Sequence, residues 1–100
     1  MKIDLGLANR DLYEGGTITE VGGRLNLTTP VTEAIPIVGR NIARIVAAVP
    51  ATETARDMVE LTGPMAVWAY LVVFHAVCHA FRHVLYCDGK SDPVVIAAHG

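Results

Sequence analysis

Four histidines fall in the last 26 residues of this 100-residue chain: His75, His79, His83 and His99. The first three are spaced i, i+4, i+8, which lines them along one face of any helix that lasts that long. Imidazole nitrogens at this spacing can converge on a metal ion. Asp88, just ahead of a glycine, adds a hard carboxylate oxygen nearby. Cys78 and Cys87 stand among these residues, but the chain has no Cys-x-x-Cys, and Cys78 points about 100° around the helix from His79. The cysteines therefore read as small buried hydrophobes rather than as a structural zinc site. Two places could seat an anion. Thr62-Gly63-Pro64 opens a helix whose first amides face outward, and Arg40 and Arg44 form an i, i+4 pair that reads as a solvated surface pair.

These residues need elements to position them. Residues 2–8 alternate Ile3, Leu5 and Leu7 on one side and predict a strand. Residues 9–16 read as a loop. Residues 17–21 and 24–28 are β-prone and joined by Gly22-Gly23, a hairpin signal. Residues 29–57 hold Pro30, Pro36 and Pro50, and their pattern fits a helix or a buried strand equally well. Residues 58–61 read as a short strand. Thr62 or Gly63 then caps a helix with Pro64 in its first position. That helix is expected over about 64–82, followed by a strand at 84–87, a turn at 89–92 and a strand at 93–98. The expectation is a single small α/β domain with a mixed β-sheet, one long helix and a C-terminal strand pair.

Composition narrows the function classes. Eight Lys and Arg against ten Asp and Glu give a net charge of −2, which argues against gripping long DNA or RNA. A short anionic ligand held by a few groups remains open. Residues 65–87 are almost continuously apolar, yet His75, His79, Arg82 and His83 lie among them. Polar groups at that density are costly in hydrocarbon, so no membrane span is expected. The first residues show no signal-peptide pattern, and the expected setting is the cytoplasm with reduced thiols.

The last 40 residues resemble the CRISPR-associated ring nuclease 3 family, small manganese-dependent nucleases of cyclic tetra-adenylate. Gly63-Pro64 is followed by Trp68-Ala69-Tyr70, and His75 stands seven residues after Trp68. His79 precedes Asp88 by nine residues, His99 follows it by eleven, and a valine-rich run leads into His99. The family's Gly-Arg-Gly-Pro turn has no arginine here, since Thr62 directly precedes Gly63, and Lys90 stands where the family carries arginine.

The resemblance implies a metal-dependent phosphodiesterase that opens the ring of cyclic tetra-adenylate and so ends type III CRISPR antiviral signalling. It assigns His79 and Asp88 to catalysis and His79, Asp88 and His99 to Mn²⁺ or another divalent cation. Thr62, Gly63, Lys90 and Arg82 become the substrate-binding residues. A divalent ion would neutralise the phosphate and activate the attacking water or hydroxyl. If the last two strands form a tight hairpin, however, Asp88 and His99 lie roughly 15 Å apart. A homo-oligomer, a dimer or stacked dimers, would then complete the site between subunits. The alternatives are a non-catalytic module that binds a cyclic oligoadenylate as sensor or sponge, and a structural interaction domain with incidental histidines.

Overall fold

The computed structural model describes residues 1–99. Strands β1 (Lys2–Asp4), β4 (Met58–Thr62), β5 (His83–Tyr86) and β6 (Val94–Ala98) form one sheet in the order β1-β4-β5-β6. The first three are parallel, and β6 returns antiparallel to β5. Between β1 and β4 come a 3-10 turn (Arg10–Tyr13), the hairpin β2 (Ile18–Val21) and β3 (Arg24–Leu27), and helix α1 (Val31–Ala47). Helix α2 (Val67–Val77) links β4 to β5. Both parallel crossovers step the same way across the sheet, so right-handed connections put both helices on one face. There α1 and α2 pack together, and Ile3, Val59, Leu61 and Val84 of the sheet are buried against Val38, Ile42, Val73 and Val77. The opposite face carries Met58 and the Lys2–Glu60 ion pair at 3.3 Å.

The α/β domain, its mixed sheet and the C-terminal strand pair are as expected; the bounds differ for physical reasons. Strand β1 ends at Asp4 because the Asp4 carboxylate accepts the Gly6 amide at 2.7 Å and turns the chain. The presumed loop at 9–16 contains the 3-10 turn and buries Leu12 and Tyr13. The undecided segment 29–57 holds the longest helix. Its buried stripe of Ala34, Val38, Asn41, Ile42 and Val46 follows the helical period. Pro36 removes one backbone bond in the second turn of α1 without ending it. Arg56 then closes the helix by donating to the carbonyls of Val46, Val49 and Pro50.

Helix α2 is shorter at both ends than 64–82. The Thr62 hydroxyl donates to the Cys87 carbonyl at 2.9 Å and stays with the sheet, so Ala66 holds the cap position with no side-chain bond. At the other end Arg82 and His83 donate their amides to Arg56 and Asp57. Sheet pairing thus claims residues that a helical pattern would have continued through. The histidine run breaks accordingly: His75 lies in α2, His79 in the turn after it, and His83 opens β5.

Candidate functional site

The residues picked from sequence divide between two edges of the sheet. Thr62, Gly63, Asp88 and Lys90 lie at the carboxyl-terminal edge of the parallel strands, where open α/β sheets take their ligands. His79, Arg82 and His99 lie at the amino-terminal edge. His79 sits in the connection entering β5, Arg82 directly precedes β5, and the His99 amide donates to the Arg82 carbonyl at 2.6 Å.

The carboxyl-terminal edge is tightly specified. Gly63 turns the chain from β4 toward α2 with φ +103°, a left-handed conformation that favours glycine. A Cβ there would lie 2.1 Å from Asp4 Oδ1, 2.9 Å from the Gly6 nitrogen and 3.0 Å from the Leu5 nitrogen. The Tyr70 hydroxyl donates to the Gly63 carbonyl at 2.5 Å, and the Tyr13 hydroxyl donates to the Leu5 carbonyl. Burial, then the Asp4 carboxylate, push the Tyr13 phenol above its ordinary range; burial, then Tyr86 and Asp4, raise Tyr70. Both stay neutral donors at physiological pH. The tip of the β2–β3 hairpin overhangs this edge, and Asp4, Gly6, Arg24, Leu25 and Pro64 line a hollow of about 400 Å³.

Asp88 sits in the exposed turn after β5, where its Oδ1 accepts the amides of Lys90 at 2.8 Å and Ser91 at 2.9 Å. Those amides, Ser91 first, lower its pKa and keep it a carboxylate. Its second oxygen has no protein partner among the described residues. Val67, which opens α2 just after the Gly63 turn, has no acidic neighbour in the first turn, so that positive dipole end is unopposed.

The amino-terminal edge is looser. Arg82 and His83 face Asp57 at 4.0 and 3.6 Å, with all three side chains partly exposed. His75 and His79 stay neighbours, with ring centroids 5.7 Å apart. Arg44 is committed structurally, pairing with Glu14 at 3.5 Å and donating to the Asp11 carbonyl. Neither a family model, nor a curated protein, nor a solved structure matches the chain.

The implied metal site does not assemble within one chain. Among the described residues no three His, Cys, Asp or Glu side chains are grouped to hold an ion. The register Tyr86↔Val94 through His83↔Ala98 makes β5 and β6 direct partners, with Asp88 at one end and His99 at the other. That register sets His99 opposite Arg82, six residues along the strand from Asp88, so the two lie roughly 20 Å apart. No described helix is long and apolar enough to cross a membrane.

Sequence reasoning missed Asp4, Tyr13 and Arg24. The only local signal was Asp4-Leu5-Gly6, a strand-end acid followed by a turn glycine. Tyr13 and Arg24 reach the edge through tertiary packing alone.

Proposed function

We propose that the chain is a cytoplasmic ring nuclease, a phosphodiesterase that opens cyclic tetra-adenylate with Mn²⁺ or another divalent cation and works as a homo-oligomer. The observation that carries this reading is the meeting of Thr62, Gly63, Asp88 and Lys90 at the ligand-binding edge of the sheet. The family-like spacing of Trp68, Tyr70, His75, His79, Asp88 and His99 supports it. Lys90 supplies a mobile positive charge for a phosphate, and the turn at Gly63 lets a ligand approach the backbone closely. Ring opening breaks one phosphorus–oxygen bond as water or a ribose hydroxyl attacks phosphorus, and the leaving oxygen takes up a proton. His79 or His99 could provide that proton only from a second copy, because both lie at the far edge of their own sheet.

The same separation favours a second reading, a module that binds the ring without cutting it. Incubating purified protein with cyclic tetra-adenylate, with Mn²⁺ or with a chelator, separates the two when products are followed by chromatography. Metal-dependent linear products that disappear in Asp88→Ala support the nuclease. An intact ring in every tube removes it, and a binding titration then identifies a sensor or excludes one.

A further inference from the structure

Strand β6 is an edge strand with β5 as its neighbour, and Val94, Val95 and Ile96 are 58%, 54% and 49% exposed. No charge lies between Asp92 and His99. Free edges are normally guarded by lysines or inward-pointing charges. Here the guards are Pro93 before the strand and a bulge in which Ile96 has no partner on β5, since Leu85 pairs with Val95 and Val84 with Ala97. Ile96 instead joins Leu71 and Phe74 of α2 at an apolar hollow of about 270 Å³. Leu71 is 65% exposed, and Val67, one turn away, 72%. Val94, Ile96, Leu71 and Val67 expose on the order of 400 Å² on the helix side of the sheet, about half of the ~800 Å² each partner contributes to a standard interface, and Val95, paired with Leu85, adds to the edge on the other face.

We propose that a second copy of this chain occupies this edge, pairing antiparallel along β6 about a two-fold axis and joining two four-stranded sheets into one of eight. The edge is self-complementary in charge. Asp92 precedes β6, while His99 follows it beside Arg82. Antiparallel pairing sets each basic end against the other copy's acidic end, twice over. It also carries His99 of the partner subunit to the carboxyl-terminal edge, beside Asp92 and roughly 10 Å from Asp88 along the strand spacings. Two side chains can span that distance to face one ligand. This shared site rests on the nuclease reading; the pairing does not.

The test is the sedimentation mass of the wild type, Val95→Lys and Met58→Lys at tens of micromolar, with circular dichroism confirming the fold of each. The pairing predicts a dimer, or a multiple of one, for the wild type. Val95→Lys halves that mass, while Met58→Lys, an equal charge on the open face of the sheet, leaves it unchanged. A monomeric wild type, a Val95→Lys mass equal to wild type, or equal disruption by Met58→Lys overturns it. If Val95→Lys does not fold, hydrogen exchange of the wild type decides. Protection of the 94–98 amides that rises with protein concentration supports the pairing, and concentration-independent exchange contradicts it. A ring-cleaving monomer would sink the pairing and the shared site but leave the phosphodiesterase activity standing; a dimer inert toward the ring would keep the pairing and remove the nuclease.

Discussion

At the carboxyl-terminal edge of the sheet the turns are held from several sides. Gly63 has no room for a side chain, Asp4 is pinned by the Gly6 amide, and two tyrosine hydroxyls cap backbone carbonyls. At the amino-terminal edge Arg82, His79 and His99 are exposed, and the Asp57 pairs are long. Folding requires both edges to be closed, but only the first is over-determined. Such constraint is expected where a ligand must meet a preformed backbone. The histidines at the other edge add little to their own fold, which leaves them free to serve a neighbouring copy.

Five single substitutions break or sharpen this contrast. Gly63→Ala should be the most damaging, destabilising by about 3 kcal/mol or more through positive φ and backbone overlap. In an Asp4→Ala background only part of the loss should return, because the Leu5 and Gly6 nitrogens stay in place; urea midpoints measure both. Asn41→Leu comes next, at about 2–3 kcal/mol, because its amide holds the buried carbonyl of Leu12 and the part-buried carbonyl of Glu14 at 2.9 Å each.

Tyr13→Phe should cost about 1–2 kcal/mol by leaving the Leu5 carbonyl without this donor. Its pH dependence has a definite sign. The folded phenol titrates above its ordinary value, so its contribution is complete below about pH 10 and is lost as pH rises toward the folded value. Urea midpoints of the wild type should therefore fall in alkali more steeply than those of Tyr13→Phe. The smallest effects belong to the other edge. Arg82→Ala and His99→Ala should each shift stability by no more than about 1 kcal/mol, as thermal melts would report, while ring opening by His99→Ala is lost.

What could be read from sequence follows from where each determinant lies. The β2–β3 hairpin was legible because Gly22 and Gly23 supply the two positive φ values, +58° and +79°, that a tight turn needs. The centre of α2 and the strands on either side of it were legible from their apolar runs. Helix α1 was obscured by Pro30, Pro36 and Pro50, although its buried stripe was present. The end of α2 was unreadable because pairing of β5 with Met58 and Val59 decides it, across more than 20 residues. In the candidate site Thr62, Gly63 and Asp88 stand at strand ends that the sequence pattern marks, whereas Lys90 is named only through the resemblance. Asp4 and Tyr13 were missed, because strand order and the docking of the 3-10 turn bring them there.

The most direct test of the account is complementation in the ring-opening assay with Mn²⁺. Asp88→Ala and His99→Ala should each be inactive alone; they are mixed, dissociated, reassociated and assayed again. A site shared across β6 predicts recovery to about a quarter of wild-type activity, since half of the random dimers carry one intact site of two. A mixture as inactive as its components would contradict it.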